Sequence, residues 1–405
     1  MTTANAEQAR QSALQVFAAF FRLGLTSFGG PIAHIGYFRD DFVTRRRWLN
    51  DASYADLVAL CQFLPGPASS QVGIGIGLAK AGFGGALAAW VGFTLPSAIA
   101  MALFGYGVLE LDQSVSTGAL QGLKIAVVAV VAQALWGMGR SLCPDAPRMT
   151  IAVLAAALVL TLPSAWTQVA VIVAGAGIGA WLLSNVDDVT DSNLDVPVSG
   201  PLAVSALSLL ALMLIGLPVL TAAFPSQSMA LFDAFFRSGS LVFGGGHVVL
   251  PLLQSEVVPT GWVDNETFLA GYGAAQAIPG PLFTFAAYLG SVSDPAPNGW
   301  AGALLCVVAI FLPSFLLVIG VLPFWSRLRR ARGLRRALVG INAAVVGLLL
   351  AAFYDPVWTS AIRAPADFVV ALGAFLLLVS WRTPPWLVVA LAGLAGWGLS
   401  MTPAG

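Results

Sequence analysis

"FFRLGLTSFGGP" (Phe20–Pro31) and "FFRSGSLVFGGG" (Phe235–Gly246) decide how this chain is read. Phe20, Phe21, Arg22, Gly24, Phe28, Gly29 and Gly30 recur as Phe235, Phe236, Arg237, Gly239, Phe243, Gly244 and Gly245, each 215 residues later. Outward from this phrase the match continues at an offset of 214: Trp48 with Trp262, Gln62 with Gln276, and Pro65-Gly66-Pro67 with Pro279-Gly280-Pro281. Farther on, Leu95-Pro96-Ser97 matches Leu312-Pro313-Ser314, and AVVA from Ala129 resembles AVVG from Ala344. A repeat of this length predicts two related halves, residues 1–184 and 225–405. An acidic linker and one additional helix occupy residues 185–224 between them.

Of the 405 residues, 58% are hydrophobic and 9% charged, whereas soluble domains carry about a quarter charged residues. Uncharged runs such as Ala165–Leu183, Leu202–Leu220 and Gly302–Leu322 approach the roughly 20 residues that cross a bilayer as a helix. The expected fold is an all-α, polytopic integral membrane protein. The start MTTANAEQARQS lacks the basic and apolar regions of a secretory signal, so the amino end is read as cytoplasmic. A net charge of zero gives no reason to expect nucleic acid as a partner. Cys61, Cys143 and Cys306 are scattered, without CxxC or metal spacing, and read as small buried apolar residues. With His34 and His247 the only histidines, neither a metal site nor a cofactor is expected.

Loop charges orient the halves, because Lys and Arg accumulate on the cytoplasmic side. Arg39, Arg45, Arg46 and Arg47 precede the first PGP, while the matching stretch LLQSEVVPTGWVDNE carries no basic residue. The next pair reverses the bias: ELDQSVSTGALQG has none, and Arg327–Arg336 holds six arginines. Equivalent loops should therefore face opposite sides, making the halves inverted-topology repeats. The crossings balance if the FGG and PGP segments turn back as half-depth hairpins, since glycine and proline stop a helix there. This yields nine spanning helices and four re-entrant hairpins, amino end inside and carboxyl end outside. Counting the FGG segments as spans raises the total to eleven or more.

Broken backbone at membrane depth survives only where it is buried in protein or lines a cavity, and inverted-repeat transporters bind substrate at such breaks. The breaks are expected at Pro31, Pro65, Gly66, Pro67, Pro279, Gly280 and Pro281. The helix amino ends they free present N–H groups and partial positive charge, which favour an anion. Gly29, Gly30, Gly244, Gly245 and Gly246 would let backbone approach that ligand. Arg22 and Arg237 would cost roughly 3 kcal/mol or more facing lipid. They are expected to face protein or water, either tying down a carbonyl or supplying charge to an oxyanion. Gln62, Gln276, Ser69, Ser70 and Thr284 are candidate donors near the tips, equally suited to ordinary helix–helix bonds. His34 and His247 are not equivalent in the repeat and are read as either packed or proton-carrying. Asp56, Asp233 and Glu256 read as unduplicated acids, giving no paired proton relay, and Asp40 and Asp41 as partners of the nearby arginines.

FGGP, the basic RRRW loop and LPGP in the first half, with FGGGHVVLP, a GW-containing loop and IPGP in the second, resemble the CHR family of chromate transporters in its two-domain form. The resemblance covers nearly the whole chain. It implies chromate export across the bacterial inner membrane, chromate resistance, and sulfate as an isostructural competitor, with lipid as the surrounding partner and a homodimer left open. Gly246, where the first copy has Pro31, is its main departure. A dianion leaving a cell at about −100 mV gains roughly 4.6 kcal/mol, so export needs no ATP site, and no GxxxxGK[ST] stretch occurs. An importer or exchanger of sulfate or a similar oxyanion is the alternative. A membrane enzyme would need a nucleophile–base pair, a metal cluster or a cofactor motif. GIGIGLAKAGFGG from Gly73 is better explained as close helix packing.

Overall fold

The computed structural model describes residues 11–110, 113–183, 198–243, 246–328 and 330–401; among them the regular structure is helical and there is no strand. The first half holds α1 (Ala13–Thr26), α2 (Gly30–Arg39, extended by a π turn Asp40–Arg45), α3 (Asp51–Phe63), α4 (Ala68–Glu110), α5 (Gln113–Leu142), α6 (Ala146–Thr161) and α7 (Ala165–Leu182). After α8 (Gly200–Ala223) come α9 (Gln227–Leu241), α10 (Val249–Val257), α11 (Asn265–Ala277), α12 (Phe285–Val292), α13 (Gly299–Val321) and the short α14 (Trp325–Leu328). The chain closes with α15 (Arg332–Ala352), the short α16 (Thr359–Ala361), α17 (Pro365–Val379) and α18 (Pro385–Met401).

Non-helical dihedrals at Ala81 and Gly82, where Gly82 has φ 63°, divide α4 into arms 68–80 and 83–110. So divided, the first half has the element order of the second. α1, α2 and α3 correspond to α9, α10 and α11, and the two arms of α4 to α12 and α13. α5, α6 and α7 then correspond to α15, α17 and α18, leaving α8 without a counterpart.

Side-chain contacts establish that the broken segments double back. In one continuous helix Arg22 and Asp41 would stand roughly 28 Å apart, yet Nη2 of Arg22 lies 2.7 Å from Oδ1 of Asp41. Arg237 and Glu256, also 19 residues apart, bond at 2.8 Å. The second hairpin of each half closes in the same way, with Leu57 packed on Gly75 and Tyr288 Oη donating to the carbonyl of Thr267 at 2.8 Å. Phe20, Phe38, Phe42 and Phe93, with ring centroids 4.8–6.5 Å apart, fasten the first hairpin to the second arm of α4. α1 starts beside Gly84, and its Gly24 lies against the carbonyls of Gly92 and Phe93. The helix thus ends next to the middle of the longer arm, which is the geometry of a half-depth hairpin. In the second half Gly239 meets the Ile310 carbonyl in the same way. The glycine-rich run packs as expected: Gly73 on Phe20, Gly75 on Leu57, and Gly77 so close to Gly85 that no side chain would fit.

Five helical stretches are long and apolar enough to cross a membrane: Ala68–Val108, Gly118–Leu142, Gly200–Ala223, Gly299–Leu328 and Arg332–Ala361. Since α4 doubles back at Gly82, its crossing portion is the second arm. α6, α7, α17 and α18 have 16, 18, 15 and 17 residues, or roughly 23–27 Å, at or just under the short end of the spanning range.

The halves do not pack as separate bodies. α5 lies along α17 and α18, and α15 lies along α6 and α7. Glycines make both seams: Gly118 and Gly122 meet Gly396 and the Ala392 carbonyl, while Gly175 and Gly179 meet Gly340. Each of the two large apolar cores draws residues from both halves.

Candidate functional site

The hairpin tips of one half are bonded to those of the other. The Gly66 N–H, in the first PGP, donates to the carbonyl of Val242 at 2.6 Å; the Gly280 N–H, in the second, donates to the carbonyl of Ser27 at 2.9 Å. The two bonds are repeat-equivalents of each other, so the four breaks form one crosswise knot. Gly66 and Gly280 have φ of +114° and +102°, and a Cβ on either would collide with neighbouring polar atoms, at 2.6 Å from Gln71 Nε2 and 2.7 Å from Ser97 Oγ. Glycine is required there by both conformation and space. Pro31 lies against Gly246, its own counterpart, so the relation between the halves passes through this point. The proline-and-glycine difference between the copies leaves room for that contact.

Around the knot lie buried side-chain polar atoms without a hydrogen-bond partner: Oγ of Ser27, Ser70 and Ser314, Oγ1 of Thr94, Oε1 of Gln71, and Nε2 of half-buried Gln276. Ser27, Ser70, Gln71, Thr94 and Ser314 are at most 2% exposed. An unsatisfied buried polar group costs about 1–3 kcal/mol, and so many in one place call for an occupant. Ser314 Oγ would stand 3.0 Å from a Cβ at Gly66, which places the mid-helix serine of one half at the tip of the other. Ser97 makes the same approach to Gly280.

Helix ends sort by position. The outer ends of the hairpins are capped by side chains, from Ser12, Asn50, Ser226 and Asp264. The inner ends beginning after Gly29, Val248 and Pro281 have no side-chain cap. Uncapped inner ends leave amide donors pointing into the knot, which suits an anion.

The candidate residues divide accordingly. Ser70 and Gln276 are unpartnered at the knot; Ser69 is instead 3.3 Å from Nδ1 of His34, whose Nε2 lies 3.1 Å from the Ser27 carbonyl. Thr284 spends its hydroxyl on the carbonyl of Pro281 at 2.8 Å, and Gln62 lies on the exposed surface. His247 pairs with Tyr272 Oη at 2.9 Å. Gly29 and Gly30 take φ of +98° and +76°, while Gly244 and Gly245 fall outside the described residues.

The arginines are held by acids, not left as free cations. Arg22, with its side chain 53% exposed, donates to Asp41, which also receives Arg46 at 2.7 Å. Arg237 donates to Asp233 at 3.1 Å and through both terminal nitrogens to Glu256 at 2.8 and 3.0 Å. This corrects the expectation that Glu256 is unduplicated: its counterpart is Asp41, at the same offset of 215 that relates the arginines. The offset was the signal for it, masked by the change from Asp to Glu. The pairing of Ser97 with Ser314 was visible as LPS in both halves, yet without a partner geometry it carried no role.

A second polar feature lies at the far end of α11. A cleft of about 590 Å³ is lined by Gln121, Lys124, Asp264, Glu266, Thr267, Arg363 and Asp367 among others. Hydrogen bonding from Arg363, then the charge of Lys124, holds the Glu266 carboxyl below its ordinary range.

The sequence pattern of the family described as chromate transporter matches residues 14–180 and 229–397. Among characterised relatives, the chain is 29% identical to a chromate transport protein of Pseudomonas aeruginosa, covering 95% of this chain and 91% of that one. It is 26% identical to a probable chromate transport protein of Synechococcus elongatus, over 94% of each. A chromate transport protein of Cupriavidus metallidurans is 25% identical over 94% of this chain and 92% of its own. No solved structure matches it. Repeat, breaks and similarity agree, and the chain belongs to the chromate transporter family.

Proposed function

We propose that this protein is a secondary transporter that exports chromate as a dianion across the inner membrane, conferring chromate resistance, with sulfate as a competing isostere. The observation that carries the proposal is the group of buried, unpartnered hydroxyls and amides at the crosswise knot, beside helix ends without side-chain caps. Tetrahedral oxyanions offer several acceptor oxygens to such donors. Because the arginines are already neutralised, binding relies on amide and hydroxyl dipoles, and Arg22 and Arg237 act by bracing the hairpins.

The inverted arrangement belongs to the same proposal, with repeats at 1–184 and 225–405, the amino end inside and the carboxyl end outside. Contacts support it by joining segments that loop charge assigns to one face. On the proposed inner face, Trp325 Nε1 donates to Asp56 at 2.9 Å and Gly179 meets Arg336. On the outer face, Tyr106 meets Trp300 and Asn265 donates to Ser360 at 2.7 Å. Both bundles then present their breaks at one level.

The test is accumulation of labelled chromate in cells with and without the protein. Export predicts lower accumulation in expressing cells and a further change when sulfate competes. Greater accumulation would overturn export and favour an oxyanion importer.

A further inference from the structure

Two cations in the cleft at the start of α11 converge on one oxygen. Lys124, its side chain only 4% exposed, places Nζ 3.4 Å from Oε1 of Glu266, and Arg363 donates to the same atom. Two other carboxylates face the cleft, but each is committed to a helix start. Asp264 accepts from the amide and hydroxyl of Thr267, and Asp367 accepts from the amides of Arg363 and Ala364. The partial positive charge of a helix amino end offsets such carboxylates. Glu266 is placed differently. Its side chain is 63% exposed, and its carboxylate bonds to the two cations.

Resting on the transport reading above, we infer that this cleft is an outer waystation for the transported dianion, bound by Lys124 and Arg363 after it displaces the Glu266 carboxylate. Lys124 is buried, so it requires a counter-charge. Its present partner stands beyond the 2.7–3.2 Å of a good hydrogen bond and is shared with a second cation. A carboxylate on a flexible, exposed stem, shared in this way, is a tethered substitute for a free oxyanion. A tetrahedral dianion brings two charges and four oxygens, enough to satisfy both cations separately. The volume falls in the range of small-molecule sites.

Placement fits the route. α11 begins in the cleft and ends two residues before Pro279, so one helix of 13 residues, roughly 20 Å long, runs from the waystation to the knot. The cluster is not repeated: Val339 stands 215 residues beyond Lys124, and Ala52 stands 214 residues before Glu266. A nearly symmetric carrier therefore has a charged waystation at one mouth only, which makes its two faces unequal.

The half-saturating chromate concentration for flux in proteoliposomes tests the site, with anion offered from each face in turn. Lys124→Gln should raise it about tenfold, the low end for a charged hydrogen bond, from the face bearing Gly118 and Asp264. Glu266→Gln should lower it several-fold from that face, a gain that a damaged fold does not produce. No change in Lys124→Gln, or an unchanged or raised value in Glu266→Gln, overturns the waystation. Wild-type vesicles that move neither chromate nor sulfate overturn the transport reading, and the waystation with it.

Discussion

Arg237→Ala and Arg22→Ala remove the same residue from the same motif, and the structure predicts unequal consequences. Asp233 and Glu256 have side chains only 7% and 15% exposed, and Arg237 is their shared partner. Removing it leaves two carboxylates in a low-dielectric setting without their counter-charge. Breaking a buried pair in this way costs about 3–5 kcal/mol. Asp41 is equally buried, at 4%, but keeps Arg46 when Arg22 is lost. Since Arg22 is half-exposed, the expected cost there is about 0–1 kcal/mol. Thermal unfolding of the purified variants in detergent, together with the fraction inserted in membranes, measures the difference. Arg237→Ala should unfold well below wild type and accumulate poorly, while Arg22→Ala should remain near wild type. Replacing the whole cluster, as Arg237→Met with Glu256→Met and Asp233→Asn, should recover most of the loss, because no buried charge is then unpaired. Equal losses in the two alanine variants, or a triple variant as unstable as Arg237→Ala, would refute the assignment of these arginines to bracing.

Three further predictions test the knot and its setting. Ser27→Ala and Ser314→Ala each remove a hydroxyl that has no partner in the free protein, so stability should hold while half-saturating chromate rises about 2- to 10-fold per donor; reduced stability with unchanged affinity would mark both as structural. Cysteines at Pro31 and Gly246, whose side-chain positions lie within 3.4 Å, should cross-link under oxidation and arrest flux, with reduction restoring it; free flux in the cross-linked protein would remove this contact from the moving parts. Single cysteines at Thr44 and Thr260 should react with an impermeant maleimide from opposite faces of the membrane, and labelling from one face would end the inverted-repeat proposal.

Much of the architecture was legible because steric requirements are local. Glycine and proline at the FGG and PGP motifs stop helices whatever surrounds them, and the spacing of Gly73, Gly75 and Gly77 marks close approach. The crosswise bonds from Gly66 to Val242 and from Gly280 to Ser27 were not legible. A repeat states that two halves are alike, not which half supplies a neighbour to which. The arginines were misjudged for a related reason. Asp41 sits in the charged stretch RDDFVTRRRW, where its tie to Arg22, 19 residues earlier, is hidden unless the segment is known to fold back. The unpartnered hydroxyls of Thr94 and Ser314 lie inside otherwise apolar helices, and only packing against a foreign hairpin tip distinguishes them from ordinary helix serines and threonines. The Lys124 cleft is a product of assembly, drawing on four elements spread from Gly118 to Gly396.

The central claim is that the four interrupted helices meet to hold a dianion through uncharged donors. Chromium anomalous scattering from chromate-soaked crystals would locate the ion directly. The account predicts a peak between Gly66 and Gly280, within hydrogen-bond reach of the Ser27 and Ser314 hydroxyls. A peak seated on the guanidinium of Arg22 or Arg237, with none at the knot, would contradict it.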